Sequence, residues 1–209
     1  MSGNNLLFLG LALFMVPHLL GGMHAVRSGI VGAIGDLGYK GVHSVLSLIG
    51  LVLIVIGFGG REFVPVYEPP LVLRPAPLVL MPLSFILFFG AYLGGFKRIT
   101  RHPMAWGIVL FAVAHLLVNG DVASVALFGS FLVFGLVSQT LSDQRKAADD
   151  PEGWAKISAE TSAIPFLAMI RGVDYSGPRG GILLGVVIGI VVTVAVAWAH
   201  PYLFGTFPY

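Results

Sequence analysis

The chemistry available to this chain lies in its six histidines, at positions 18, 24, 43, 102, 115 and 200. Two have wholly apolar neighbours. His18 stands in Met15-Val16-Pro17-His18-Leu19-Leu20, and His115 in Ala112-Val113-Ala114-His115-Leu116-Leu117. Neutral imidazole is a good iron ligand and apolar walls suit a porphyrin, so two such histidines on facing helices could hold a b-type haem. From spacing alone a hydrogen bond from each ring to another helix is the simpler reading. His24, His43 and His102 stand near Arg27 and Arg101, a combination that could receive haem propionates or a substrate head group. For His24 and His43 an interfacial belt of amphipathic side chains is the simpler reading. Arg101-His102-Pro103 is the denser cluster, with a charge, a titratable ring and a helix start in three residues. His200 reads as an interface residue. Asn119 follows His115 by four residues, which predicts a shared helix face and a hydrogen bond near whatever His115 holds.

Other catalytic chemistry is scarce. The sequence has no Gly-rich phosphate loop, no His-Glu-x-x-His and no Gly-x-Ser-x-Gly. It has no Cys, which removes disulfides, thiolate metal sites and covalent c-type haem attachment.

Composition says where these histidines are held. Of 209 residues, 56% are hydrophobic and 11% charged. A water-soluble domain is about 25% charged, so this chain would aggregate in water. The twelve Lys and Arg are dispersed, which excludes a nucleic-acid footprint. The reading is a single all-α domain, 1–209, an integral membrane bundle of about six transmembrane helices. Six stretches approach the roughly 20 apolar residues needed to cross a bilayer: Asn5–Val26, Val42–Gly60, Leu71–Leu93, Met104–Val118, Val122–Gln139 and Gly181–Ala199. The first has no Lys or Arg ahead of it and reads as a retained helix rather than a signal peptide. The Asn119-Gly120-Asp121 turn predicts that the fourth and fifth spans are antiparallel neighbours. Gly181, Gly185 and Gly189 make a bare stripe where another helix can approach closely.

The loops after spans one, three and five carry ten Lys and Arg, Arg179 included, and the other side carries two. This asymmetry places both termini away from the cytoplasm, in a bacterial-type inner membrane. The 140–180 stretch is then a cytoplasmic loop. Within it Trp154–Thr161 is predicted as a short helix, and Ile164–Ile170 as a return to the membrane surface.

Several of these residues together resemble the NnrU family, multi-span proteins linked to denitrification genes. They are Arg101-His102-Pro103-Met104, His115, Asn119-Gly120-Asp121, His18-Leu19-Leu20 ahead of Arg27, and Gly38-Tyr39-Lys40-Gly41 leading into His43. The related zeta-carotene isomerases are similar in more places. They share the Arg-His-Pro with a second His thirteen residues on, a run like Thr161-Ser162-Ala163-Ile164-Pro165-Phe166, and an ending like Ala199-His200-Pro201. The resemblance implies haem b held by residues matching His18 and His115, with Arg101 and His102 supporting the propionates or gating the cytoplasmic side. It implies a role in nitrogen-oxide metabolism or, alternatively, cis–trans isomerisation of a carotenoid-like polyene, with membrane lipid and a hydrophobic small molecule as partners. The isomerase pattern has a Cys where this chain has Ala112, so a ligand switch through Cys is absent. A third alternative follows from Arg-His-Pro alone, which also resembles the isoprenylcysteine methyltransferases and their S-adenosylmethionine site.

Overall fold

The computed structural model describes residues 2–178 and 180–206; Arg179, counted above among the cytoplasmic cations, lies outside them. Among the described residues there are nine α-helices and no strand: α1 (Gly3–Gly22), α2 (His24–Gly59), α3 (Ala76–Gly90), α4 (Phe96–Ile99), α5 (Pro103–Leu116), α6 (Val122–Asp149), α7 (Pro151–Glu160), α8 (Leu167–Ile170) and α9 (Ile182–Phe204). Five stretches are long and apolar enough to cross a membrane: α1, α2, Leu71–Gly90, α6 and α9. The expected fourth span is the apolar but shorter α5. At 14 residues it rises roughly 21 Å, short of a hydrocarbon core of about 30 Å. The protein is an all-α membrane bundle.

Three boundaries differ from the sequence reading. Residues 27–41, expected as a loop, are helical, because α2 starts at His24 and only bends at Gly35. Gly35 has φ 75°, a conformation that glycine adopts without a Cβ penalty. The expected 140–180 loop begins inside a helix, since α6 continues to Asp149. The third span opens as a 3-10 turn, Leu71–Leu73, before α3, with Pro75 between them. Proline has no N–H for a continuous helix and suits a restart.

The chain forms two compact units. The first comprises residues 1–68 and 119–150, the second 69–118 and 151–209. In the first, α1 and α2 form an antiparallel hairpin. A Cβ on Gly10 would stand 2.6 Å from the Ile54 nitrogen, and one on Gly50 2.7 Å from the Phe14 nitrogen. Only glycine lets these backbones approach so closely. Helix α6 lies along them, with Phe131 near Phe14 and Phe128 near Phe58. Asp121 caps it: the carboxylate accepts from the Ser124 backbone N–H at 3.1 Å and also from its hydroxyl. An extended segment after α2 is pinned to the same turn, where Val66 and Tyr67 donate to the Gly120 carbonyl at 2.8 and 3.1 Å.

In the second unit α3 packs against both α5 and α9. The Ser84 hydroxyl donates to the Gly107 carbonyl at 2.8 Å. The predicted glycine stripe of α9 is used as expected. A Cβ on Gly185 would meet the Phe96 ring, and one on Gly189 would lie 2.6 Å from the Ile86 backbone. Gly185 and Gly189 are the buried residues of α9, whose other faces are apolar and accessible to lipid. Helices α5 and α6, expected as neighbours, belong to different units, each with its main partners inside its own.

Candidate functional site

His18 stands one turn before the end of α1. Its Nδ1 lies 2.6 Å from the Phe14 carbonyl oxygen. That oxygen can only accept, so Nδ1 carries the proton and donates, and Nε2 presents its lone pair. The Phe14 ring stacks on the imidazole at 4.4 Å, and Phe134 of α6 meets it edge-on at 5.9 Å. The His43 ring, from α2, lies 4.6 Å away. His43 Nδ1 is buried and has no hydrogen-bond partner among the described residues.

The His18, His43 and Phe134 rings line a cleft of about 350 Å3 within the first unit. Helix α6 contributes Phe134, Ser138, Leu141, Ser142 and Arg145, spaced so that they share one helix face. Helix α2 contributes Tyr39, Lys40, His43 and Ser44 from beyond the Gly35 bend, and Arg27 from before it. Arg145 donates to the Gly21 carbonyl at 3.2 Å. Arg27 lies over the Tyr39 ring at 5.4 Å. The sequence reading favours an interface residue at His43, uses Tyr39 only within a family motif and Arg145 only in the charge count, and singles out neither Ser138 nor Ser142. The 3–4 spacing along α6 is the signal that could have found them.

His24 is not part of this cleft. It pairs with Asp149 at 2.7 Å, both side chains about half exposed, an arrangement of little energetic weight. Asn119 lies outside a helix: α5 ends at Leu116 in a turn, so the four-residue spacing from His115 does not define a shared helix face. The Asn119 backbone carbonyl accepts from the Tyr67 hydroxyl at 2.9 Å. Burial, and then the charge of Asp121, push that phenol's pKa up.

The second unit holds the other predicted residues. His102 is 8% exposed and Thr100 fully buried. The 161–168 run docks onto this corner. Thr100 Oγ1 and Trp106 Nε1 both donate to the Ala163 carbonyl, at 3.0 and 2.7 Å. The Arg101 N–H donates to the Ser162 carbonyl, and the Phe166 N–H to that of Ile99, each at 2.7 Å. The Arg101 guanidinium lies 4.7 Å from the Trp154 ring centre on α7, a cation–π contact. Two runs recognised separately in the sequence are thus one structural feature.

His115, on α5, repeats the geometry of His18. Its Nδ1 donates to the carbonyl of Phe111, four residues back, at 2.8 Å, and the Phe111 ring is 4.4 Å away. His200 donates through Nδ1 to the Thr206 carbonyl at 2.7 Å. Among the described residues no three His, Cys, Asp or Glu converge into a metal cage. A porphyrin-held iron asks less of the chain, since only axial imidazoles are needed.

The sequence model for the family described as NnrU protein matches residues 6–208. The chain is 29% identical over 116 residues to the chloroplastic 15-cis-zeta-carotene isomerase of Arabidopsis thaliana, covering 53% of this chain and 31% of that protein. It is 30% identical over 114 residues to the chloroplastic 15-cis-zeta-carotene isomerase of Zea mays, covering 52% and 31%. The match thus spans about a third of each relative's length. No solved structure matches.

Proposed function

The chain belongs to the NnrU family, and from that premise we propose that it is a membrane protein that binds haem b through His18 and His115 and acts on a hydrophobic small molecule. One observation carries this reading: the fixed tautomer of His18, whose Nδ1–H is held by the Phe14 carbonyl while Nε2 keeps its lone pair. Metal-bound histidines characteristically donate their other ring nitrogen to a carbonyl or carboxylate, which orients the ring and raises its basicity. His115 has the same support from Phe111. A bound haem would supply a redox-active iron in an apolar setting.

The chain's own residues divide the remaining work. Phe14 and Phe111 hold the two rings through both carbonyl and aromatic face. Fully buried Ala112 and Ala114 keep water from the α5 backbone beside His115. Arg101, steadied over Trp154, would meet a carboxylate or gate access from one membrane side. The excess of Lys and Arg in the odd-numbered loops supports an orientation with that side cytoplasmic. A link to nitrogen-oxide metabolism rests on the family resemblance.

The test is an absorption spectrum of detergent-purified protein, oxidised and reduced, for wild type, His18→Ala and His115→Ala. A Soret band with sharp reduced bands in wild type, lost in the variants, is the expected outcome. A protein that stays colourless with added haem overturns the proposal.

The named relatives favour a second reading of the reaction, isomerisation of a polyene, for which an apolar bundle is a suitable solvent. Co-expression with a carotenoid pathway tests it. An unchanged isomer composition speaks against it.

A further inference from the structure

The cleft that His18 lines in the first unit also gathers three cations, whose own chemistry is anion binding rather than iron ligation. Arg27, Lys40 and Arg145 all line the 350 Å3 cleft, together with the hydroxyls of Ser44, Ser138 and Ser142. No carboxylate is among the described residues lining it. Asp36 stands beside it, half exposed, 3.3 Å from Arg27 and 2.6 Å from Lys40. It offsets one of three positive charges and ties two of the cations together across the Gly35 bend. Arg145 is steadied by the Gly21 carbonyl, with further N–H groups to direct elsewhere. Guanidinium forks and hydroxyls suit the oxygens of a phosphate.

Size and position narrow the ligand. The cleft falls in the lower part of the roughly 300–1,000 Å3 range of small-molecule sites, more than one free ion needs. It opens where α1 ends, beside lipid-length apolar helices, and Phe134 and Leu141 form an apolar part of its wall. Basic pockets between membrane helices are a recurrent receptor for anionic head groups. We infer that this cleft binds the phosphodiester head group of an anionic lipid, with Arg27, Lys40 and Arg145 on the phosphate oxygens and the chain following Phe134 and Leu141.

Native mass spectrometry of the full-length, haem-free protein in detergent tests this with two probes, phosphatidylglycerol and phosphatidylcholine. Wild type is expected to retain phosphatidylglycerol preferentially, and added salt to weaken it. The triple variant Arg27→Gln/Lys40→Gln/Arg145→Gln should lose retention by of order a hundredfold, since each cation near an anionic surface contributes about fivefold. Arg145→Lys keeps the charge and removes the fork, so it should weaken retention even if the triple variant does not fold. Lys97→Gln/Arg98→Gln, in the other unit, should leave it unchanged. Equal retention of the two lipids, or equal retention by wild type and the Arg145 variants, overturns the inference. Equilibrium dialysis with inorganic phosphate separates the sources: saturable phosphate binding without lipid selectivity would reassign the cleft to a free anion and overturn the lipid. Lipid retention is read without haem, so its failure leaves the spectroscopic test untouched.

Discussion

The rings of His18 and His43 lie 4.6 Å apart, inclined at 59°. Two imidazoles on opposite faces of one metal are separated by two metal–nitrogen bonds of roughly 2 Å plus two ring radii, which exceeds this distance. The two therefore do not form an axial pair in this arrangement. Under the proposed haem reading His18, with its tautomer set by Phe14, would be the ligand, and His43 a polar neighbour beside it. His43→Leu is expected to keep the Soret band but move the midpoint potential, because polarity beside an axial ring sets it. His18→Ala is expected to lose the band. A spectrum lost in His43→Leu and kept in His18→Ala would transfer the ligand to His43.

The α1–α2 hairpin depends on glycines seven residues apart on each helix, Gly3 facing Gly57 and Gly10 facing Gly50. At Gly10 and Gly50 the obstacle to a side chain is backbone, which cannot turn aside as a flexible side chain can. Gly50→Val should destabilise the protein by about 1–3 kcal/mol, the usual cost of overpacking, read as a lowered unfolding midpoint in detergent. Gly129→Ala, on α6 with open space around it, should be neutral or slightly stabilising. Equal losses in both variants would mean that close approach is not what the hairpin needs.

Both glycine contacts were in principle legible, yet only the α9 stripe was read from the sequence. Its four-residue spacing among the large apolar residues between 182 and 192 stands out, whereas the seven-residue pairs of α1 and α2 are spread among other glycines. The helices themselves were legible because lipid demands long apolar runs. Their ends are less so: the first turns of α2 and the last turns of α6 carry charge, which reads as loop, yet both are helical. His18 and His115 stood out as polar groups among apolar ones. The cleft around His18 did not, because its members come from three helices far apart in sequence. The end of α5 at Leu116 is not marked in the sequence, which stays apolar through Val118 before the capped start of α6 at Asp121.

Glu160, at the end of α7, clamps the chain at Ser176. The Ser176 N–H donates to one carboxylate oxygen at 3.0 Å, and its hydroxyl reaches both oxygens, at 2.9 and 2.8 Å. The hydroxyl first, then the N–H, hold the Glu160 pKa below the ordinary glutamate value; burial and Asp174 oppose this and Lys156 assists it. A folded-state pKa that is depressed contributes stability above the unfolded value and loses it as pH falls through the folded one. The clamp should therefore persist through the ordinary glutamate range, about 4.3, and release only in stronger acid. Hydrogen exchange at the Ser176 amide reports it: protection is expected at neutral pH, reduced in Glu160→Ala and lost with an acid midpoint below that of a free glutamate. Glu160→Gln keeps an acceptor without the titration, so its residual protection should not depend on carboxylate ionisation. If Ser176→Ala leaves the Glu160 midpoint where wild type has it, the hydroxyl is not what lowers the pKa, and the clamp as described is wrong.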